Sequence, residues 1–330
     1  MKSKAIVFTD AYKVEIAEID VPKPGPGQIL TKTLYTGVST GTETRVLAGK
    51  QDGGDFPLIP GYENLGQIVE VGQGVDLKPG TVVFNGLGDF TGDYNRCWGA
   101  HTQYAIRDAS ATVPMPEGAD PAKAVYTKVG AIALHGVKRA SVTDKDTVAV
   151  VGLGLIGHFA VQSCKAKGAT VIAVDTDPQR LDIAKKAGAD HTVNAASENV
   201  KQRVKELSNG GVDVAIDATG IAKLVDSTAQ LVHDRPWCDP YPAHPRVVIL
   251  GTSNEPIFFS YNDTLFMNEP DIFPSRDTTG ADLVDMMYLI ATGKVDPAVI
   301  PAKMYPFDQA PEAYKDLIEN KLMRLIFSWT

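Results

Sequence analysis

The sequence is poor in cysteine. Its 330 residues include Cys97, Cys164 and Cys238, which are far apart and form no Cys-x-x-Cys pair. An odd number of widely spaced thiols argues against a disulfide framework, and the lack of a paired motif argues against a zinc knuckle. We therefore expect three reduced thiols.

The sequence also lacks an excess of positive charge and any long apolar segment. Its 32 Lys and Arg residues are dispersed and are outnumbered by 40 Asp and Glu residues, so no basic surface for a nucleic-acid backbone is expected. No apolar run reaches the roughly 20 residues that cross a bilayer, and the start, MKSKAIVFTD, lacks the apolar core of a signal peptide. These absences predict a cytoplasmic protein that binds neither nucleic acid nor membrane.

The length and the pattern of the chain predict two domains. A chain of 330 residues exceeds the size at which a single core usually keeps growing. Residues 1–125 alternate short β-branched runs with Gly and Pro, which is typical of a mostly antiparallel β domain. From residue 147 to 251 short apolar strands alternate with helices, which predicts an α/β domain with a doubly wound parallel sheet. The tail from residue 276 has two amphipathic helices and a terminal strand, and we expect it to pack on the first domain.

A glycine-rich turn opens the α/β segment. In VAVVGLGLIGHFAV, Gly152, Gly154 and Gly157 have Gly-x-Gly-x-x-Gly spacing between a predicted strand and a predicted helix. The first glycine permits the tight turn, the second lets the backbone approach a pyrophosphate, and the third lets the helix pack closely on the sheet. The pattern predicts a dinucleotide-binding Rossmann domain.

An acidic residue at the end of the next predicted strand favours NAD over NADP. Asp175 is placed to accept hydrogen bonds from the adenosine ribose hydroxyls and to repel a 2′-phosphate. Arg180, one helical turn further on, suits either nucleotide, so NADP stays the less favoured alternative. The candidate cofactor-binding residues are Gly152, Gly154, Leu155, Ile156, Gly157, Asp175, Arg180 and Thr219.

Motifs along nearly the whole chain resemble those of the medium-chain dehydrogenase/reductase superfamily. They are GYENLGQIVEVG, DTVAVVGLGLIG, VIAVDTDPQRLDIAKKAGAD, GVDVAIDATG, RVVILG and GKVDP. The resemblance implies a GroES-like catalytic domain (1–125 and 276–330), a Rossmann NAD-binding domain (126–275), and a homodimer or homotetramer. The run YTGVSTGTETRVLAG is locally similar to the branch that contains the bacteriochlorophyllide hydroxyethyl dehydrogenase, but the local match does not carry that substrate over.

The positions that hold catalytic zinc in this superfamily carry other residues in this chain. The resemblance places Ser39 or Thr40, then Tyr62, then Lys128 where the zinc enzymes have Cys, His and a Cys or acidic residue. A protonated ammonium has no lone pair to donate, and a hydroxyl is a poor ligand beside thiolate and imidazole. The lobe that would carry four cysteines for structural zinc is represented by NGLGDFTGDYNRCWGAH, with Cys97 alone. We expect no zinc at either place.

We hypothesise that Lys128 and Tyr62 take over the work of the metal. Lys128 would supply the positive charge that pulls the pKa of Tyr62 from its ordinary value of about 10 towards neutrality, and Tyr62 would act as general acid or base. Glu63 would orient or neutralise Lys128. In the structural alternative, Tyr62 only fills the space left by the metal, Glu63 pairs with an arginine and Lys128 reaches solvent. Ser39 and Thr40 are further catalytic candidates, and Thr42, Glu43 and Asn95 are candidates for substrate binding.

The leading interpretation is a zinc-independent, NAD-dependent dehydrogenase that interconverts a secondary alcohol and a ketone. The polar character of the candidate residues favours a sugar, cyclitol or polyol derivative as the small-molecule substrate. One alternative is an NADPH-dependent quinone or enoyl reductase, because zinc-free members of the superfamily often reduce activated double bonds. Another is a non-catalytic protein that senses the redox state of NAD.

Overall fold

The computed structural model describes residues 1–235, 237, 243–320 and 322–330. The chain forms two compact units, and the first comprises residues 1–128, 283–292 and 300–330. The second unit comprises residues 129–282 and 293–299. Among the described residues, none of the helices combines the length and the apolar character of a membrane-spanning segment. Half of the loop at 234–245, including Cys238, lies outside the described residues, whereas Cys97 and Cys164 are buried free thiols.

The N-terminal part of the chain is rich in β-structure. Its strands are β1 (Lys2–Asp10), β2 (Lys13–Asp20), β3 (Gln28–Val38), β4 (Leu58–Ile59), β5 (Glu63–Val71), β6 (Val82–Phe84), β7 (Asn95–Arg96), β8 (Tyr104–Asp108) and β9 (Val113–Pro114). Its helices are α1 (Thr40–Leu47) and α2 (Pro121–Ala124). A 3-10 turn follows β8 at Ala109–Ala111.

The middle of the chain alternates strands and helices. Helix α3 (Thr127–Arg139) leads into β10 (Thr147–Val151), α4 (Leu155–Ala166), β11 (Thr170–Asp175), α5 (Pro178–Lys186), β12 (His191–Asn194), α6 (Val200–Leu207), β13 (Val214–Asp217), α7 (Ala222–Ala229), β14 (Arg246–Ile249) and β15 (Asp271–Pro274). A π-helix lies at Tyr261–Phe266. The C-terminal elements are α8 (Gly280–Ala291), a 3-10 turn (Pro297–Val299), β16 (Ala302–Pro306), a second 3-10 turn (Phe307–Gln309), α9 (Ala310–Asn320) and β17 (Arg324–Ser328).

Strand β3 is the centre of the first unit. Among the described residues it pairs with β5, β8 and β17, all antiparallel, in a sheet of order β16-β17-β3-β5-β6-β9. A second sheet has the order β2-β1-β4-β7. The C-terminal residues add Tyr314, Phe327 and Trp329 to one core cluster with Phe8. The register of β3 with β5 pairs Gly37 with Glu63, so the end of β3 and the turn before β5 lie side by side.

The second unit contains one parallel sheet within the described residues. Its strand order is β12-β11-β10-β13-β14-β15, and every neighbouring pair is parallel. The apolar runs of β10 and β11 are buried because helices cover both faces of such a sheet. The order reverses direction between β10 and β13, and ligands of open α/β sheets bind at such a switch point. The predicted combination of a β-rich domain and a doubly wound parallel sheet is confirmed.

Candidate active site

The glycine turn between β10 and α4 has the geometry of a phosphate-binding loop. Gly152 has φ of 88°, in the left-handed region that suits glycine. A Cβ on Gly157 would lie 1.9 Å from the carbonyl oxygen of Gly152, so this position admits no side chain. By contrast, a Cβ on Gly154, the N-cap of α4, would meet no atom within 4 Å. The turn therefore leaves open space over Gly154, where the backbone N–H groups at the start of α4 can receive a pyrophosphate.

Asp175 ends β11 beside this turn. Its Oδ2 accepts a hydrogen bond of 2.7 Å from the backbone N–H of Leu153, and its Oδ1 accepts one of 3.0 Å from Asp177. Arg180 lies 3.8 Å from Asp175 and 3.7 Å from Asp177. The carboxylate is thus fixed against the glycine turn, and Arg180 is flanked by two negative charges. Each carboxylate oxygen keeps acceptor capacity for a ribose hydroxyl, because it has a second lone pair.

The remaining cofactor candidates surround the same turn. Thr219 follows β13, and a Cβ on Gly152 would come within 2.9 Å of its backbone N and its Cγ2. Its hydroxyl donates to Asp217 at 2.9 Å and accepts from the N–H of Ile221 at 3.0 Å. Leu155 and Ile156 form the first turn of α4, with Leu155 buried. The structure therefore brings Thr219 against the turn, with its hydroxyl engaged by local partners.

Ser39 and Tyr62 form a buried hydroxyl pair in the first unit. The Tyr62 hydroxyl donates to Ser39 Oγ at 2.5 Å and lies 3.5 Å from Thr42 Oγ1. Ser39 is the N-cap of α1, but its side chain makes no capping hydrogen bond. The serine hydroxyl is instead turned towards the phenol. The ring of Tyr62 packs edge-on against Trp98, with centroids 5.1 Å apart and an interplanar angle of 82°.

Burial raises the pKa of Tyr62, and the negative charges of Glu63 and Glu43 act in the same direction. Hydrogen bonds to Ser39 and Thr42 oppose this rise only in part. The predicted lowering of this pKa by Lys128 is therefore wrong. The physical reason is that the phenol is 8% exposed, so desolvation of the phenolate outweighs any nearby positive charge. Tyr62 is a neutral hydrogen-bond donor at neutral pH.

Glu63 and Lys128 are in contact through the backbone. Glu63 is fully buried, and its Oε2 accepts a hydrogen bond of 3.2 Å from the N–H of Lys128 in the first turn of α3. A carboxylate at this end of a helix is favourable, because the first N–H groups carry partial positive charge. The structure thus brings Glu63 to the main chain of Lys128, and a role of Glu63 in orienting or neutralising the Lys128 ammonium stays a prediction.

Glu43 is a buried structural carboxylate, and its predicted role in holding a substrate hydroxyl is wrong. It is 0% exposed, and its Oε1 accepts a hydrogen bond of 3.0 Å from the N–H of Ser39. Its Oε2 accepts from the Tyr314 hydroxyl at 2.5 Å and lies 2.9 Å from His101 Nε2. The side chain points into the core because three donors there compensate its charge. Glu43 therefore fixes the backbone of Ser39, a role that the sequence did not reveal.

Of the other predicted site residues in the first unit, Thr42 contacts the hydroxyl pair, and Thr40 and Asn95 make other contacts. Thr42 lies at the edge of the hydroxyl pair, and Thr40 opens α1 and accepts from the Thr44 hydroxyl at 2.6 Å through its carbonyl. Asn95 is exposed on β7, and its amide donates to the carbonyl of Asp55 at 3.0 Å. The amide of Asn95 thus links β7 to the loop at Asp55, and its substrate-binding role stays a prediction.

The donors of the hydroxyl pair do not fit zinc. Ser39 and Tyr62 present two hydroxyls that are hydrogen-bonded to each other, and the raised pKa of Tyr62 keeps its oxygen protonated. Zinc in proteins is bound by thiolate, neutral imidazole or carboxylate. Within the described part of the chain, no three His, Cys, Asp or Glu side chains form a group that could hold a metal ion.

Comparison with known proteins identifies the family. A model described as "Alcohol dehydrogenase GroES-like domain" matches residues 25–117, and one described as "Zinc-binding dehydrogenase" matches residues 156–291. The chain belongs to the medium-chain dehydrogenase/reductase superfamily, among the zinc-type alcohol dehydrogenase-like proteins. It is 28% identical over 357 residues to an L-threonine 3-dehydrogenase of Pyrococcus abyssi, covering 99% of this chain and 98% of the relative.

Solved structures share the fold across the whole chain. An Escherichia coli oxidoreductase/dehydrogenase of unknown specificity involved in membrane biogenesis has a TM-score of 0.88 at 21% identity, covering 99% of both chains. A Sinorhizobium meliloti zinc-binding dehydrogenase bound to NADP has a TM-score of 0.83 at 24% identity, also with 99% coverage of both chains. At these identities the similarity establishes the fold.

Membership in this superfamily confirms the predicted class of reaction and the predicted class of cofactor. The chain is an oxidoreductase that acts on CH–OH groups, and it uses a nicotinamide dinucleotide. The residues around Gly152, Gly154 and Gly157 fit such a cofactor, because they combine open backbone at a helix N-terminus with a carboxylate at the end of the next strand.

Proposed function

We propose that this protein is a zinc-independent, NAD-dependent dehydrogenase that interconverts a secondary alcohol and a ketone on a sugar, cyclitol or polyol derivative. The observation that carries the proposal is the buried hydroxyl pair of Tyr62 and Ser39, 2.5 Å apart. The pair stands at positions that, by resemblance, hold zinc ligands in related enzymes.

The hydroxyl pair replaces a metal by donating hydrogen bonds to the reacting oxygen. When bound, the nicotinamide accepts or supplies the hydride. Because Tyr62 donates to Ser39 Oγ, the hydroxyl proton of Ser39 is left to point at the substrate oxygen. In the transition state this oxygen carries developing negative charge in both reaction directions, and a buried donor stabilises that charge strongly. During ketone reduction the proton passes from Ser39 to the oxygen, Tyr62 passes its proton on to Ser39, and a proton from solvent restores Tyr62, so both hydroxyls end the reaction neutral.

Two glutamates support this pair through the main chain. Glu43 holds the N–H of Ser39 and Glu63 holds the N–H of Lys128. Both contacts fix candidate residues on the backbone, so the donors are ordered before substrate arrives. Lys128 stays the proposed source of positive charge for the substrate oxygen.

A polar substrate agrees with the side chains around the pair. Ser39, Thr42 and Tyr62 present hydroxyls. Trp98, which packs against Tyr62, has a backbone φ of 70°, in the left-handed region. A non-glycine residue in this conformation is strained, and such strain is concentrated at functional sites. The indole also offers an apolar face, on which the C–H groups of a ring can pack.

NAD is the proposed cofactor in preference to NADP. Asp175 and Asp177 flank Arg180 at 3.8 Å and 3.7 Å, so a 2′-phosphate would meet two carboxylates and an arginine that already has partners. Repulsion by the carboxylates disfavours the phosphorylated ribose.

The test is a rate measurement at 340 nm with EDTA present. NAD and NADP are run against sugars, cyclitols and polyols, and NADH and NADPH against quinones and enones. Chelator-insensitive reduction of NAD by a polyol or a sugar is the expected result. Activity confined to NADPH and an activated double bond would instead favour the quinone or enoyl reductase. Binding of NADH without turnover on the whole panel would favour a redox sensor.

A further inference from the structure

Arg107 is a buried cation whose terminal nitrogens have no partner in the described part of the chain. It lies on β8 and is 2% exposed. Its Nε donates to Thr31 Oγ1 at 3.2 Å. Within the described residues, neither of its terminal nitrogens, NH1 and NH2, has a hydrogen-bond partner, and both are sealed from solvent.

An unpaired guanidinium in this position is costly. Burial lowers the pKa of Arg107 to about 9, so the group still carries its charge at neutral pH. A buried ion is stable only when an opposite charge and hydrogen-bond acceptors compensate its lost hydration. Thr31 offers one neutral acceptor to Nε, which leaves the outer edge of the guanidinium uncompensated.

Small residues surround that outer edge. A Cβ on Gly88 would lie 3.0 Å from Arg107 NH1 and 2.5 Å from the carbonyl oxygen of Gly99. The methyl group of Ala105 would be 3.3 Å from the same Cβ. No side chain larger than hydrogen fits at Gly88. Residue 88 therefore cannot supply a side chain that would bind the terminal nitrogens of Arg107 in place of an anion.

We propose that the outer edge of the Arg107 guanidinium binds a small inorganic anion inside the first unit. The planar group presents parallel N–H donors that suit a single anion. Chloride is the probe we choose. Chloride must enter through local opening of the first unit, and the close packing around Gly88 leaves no room for a bulky anion such as a sugar phosphate or an organic sulfonate.

The proposed anion lies under the loop that also contacts Tyr62. A Cβ on Gly86 would be 2.7 Å from the carbonyl oxygen of Tyr62, and Gly88 donates to the carbonyl of Trp98 at 3.3 Å. Compensating the charge of Arg107 therefore stabilises the segment that packs on the main chain of Tyr62 and Trp98.

The experiment compares thermal unfolding in sodium chloride with unfolding in sodium HEPES at equal ionic strength. An anion that binds only the folded state raises Tm by mass action. We expect chloride to raise the Tm of the wild type by about 2 to 4 °C, and to give no rise in R107M. Methionine keeps an unbranched apolar stem like that of arginine without the charge, so R107M is expected to fold. R203M, which changes an exposed arginine on α6, is the matched control and should keep the chloride effect.

Chloride binding is also read directly from the ³⁵Cl NMR line width of the wild-type protein. Broadening that is lost in R107M and kept in R203M supports the site. An equal chloride effect on Tm in wild type and R107M, or no broadening in the wild type, would overturn it and would leave ordered water as the partner of Arg107. If R107M does not fold, the wild-type line width and its competition by formate decide between these outcomes.

Discussion

At the scale of single residues, Glu43 is the clearest case in which burial decides a role. The sequence suggested that Glu43 binds the substrate. In the structure its side chain is 0% exposed and accepts hydrogen bonds from Ser39 and Tyr314. Tyr314 lies 271 residues further along the chain, so no local pattern reveals this contact. The same holds for Tyr62, because its pKa is set mainly by burial, which exists only in the folded chain.

The Glu43 contact predicts a stability effect. Tyr314→Phe removes a buried hydrogen bond to a charged group, which should lower the free energy of unfolding by about 2 kcal/mol. Urea unfolding followed by circular dichroism measures the change. Tyr288→Phe, at an exposed tyrosine, is the control and should change the free energy by less than about 0.5 kcal/mol. Equal stability of Tyr314→Phe and wild type would show that the hydroxyl contributes nothing.

His158 predicts a pH dependence of stability. It is 0% exposed, and burial followed by the positive charge of Arg180 lowers its pKa to about 4. An unfolded histidine has a pKa of about 6.5, so between these values the unfolded chain binds a proton that the folded protein does not. The contribution is therefore fully present above pH 6.5 and is lost as the pH falls towards 4, by about 3 kcal/mol.

Urea unfolding of the wild type and of His158→Leu at a series of pH values between 4 and 7.5 checks this expectation. The leucine variant should lose much of the decrease in stability below pH 6.5. His233→Asn, at a partly exposed histidine, should retain it. The same pH profile in wild type and His158→Leu would contradict the assignment.

At the scale of elements, the β10–α4 turn could be predicted because its signals are local. Strand, glycine spacing and helix follow one another within a few residues, and Asp175 ends the next strand. Contacts between distant segments could not be predicted in this way. Asn95 is an example, because its strand β7 pairs with β4 and its amide donates to the carbonyl of Asp55.

Substitutions of two glycines in this turn, Gly154 and Gly157, should cause different defects. Gly157→Ala places a methyl group 1.9 Å from the Gly152 oxygen, so it should lower the free energy of unfolding by about 2 kcal/mol or more. Gly154→Ala meets no protein atom within 4 Å and should fold normally, but its methyl group occupies the space for pyrophosphate. We expect about tenfold weaker NADH binding for Gly154→Ala.

Thermal unfolding and a fluorescence titration with NADH separate these defects. Gly280→Ala, at a position without a positive φ where a Cβ would also meet no atom within 4 Å, is the control for NADH affinity. Unchanged NADH affinity in Gly154→Ala would place the pyrophosphate elsewhere.

At the scale of the whole molecule, the assembly stays a prediction. The resemblance implies a homodimer or homotetramer, and the second unit exposes Phe258 and Tyr261 at 79% and 68%. Exposed aromatic side chains of this kind are candidates for burial in an interface. Light scattering should give two or four times the chain mass of 35.3 kDa. A mass of one chain at micromolar concentration would contradict the prediction.

The replacement of zinc by a hydroxyl pair is tested most directly by one measurement on the whole enzyme. Metal content is determined after chelation, and kcat is then compared between metal-free wild type and Tyr62→Phe with NAD and the best substrate. We predict full activity without metal in the wild type and a loss of at least about 100-fold in Tyr62→Phe, with NADH affinity unchanged. Loss of wild-type activity on chelation, its recovery with Zn²⁺ and normal turnover of Tyr62→Phe would contradict this mechanism.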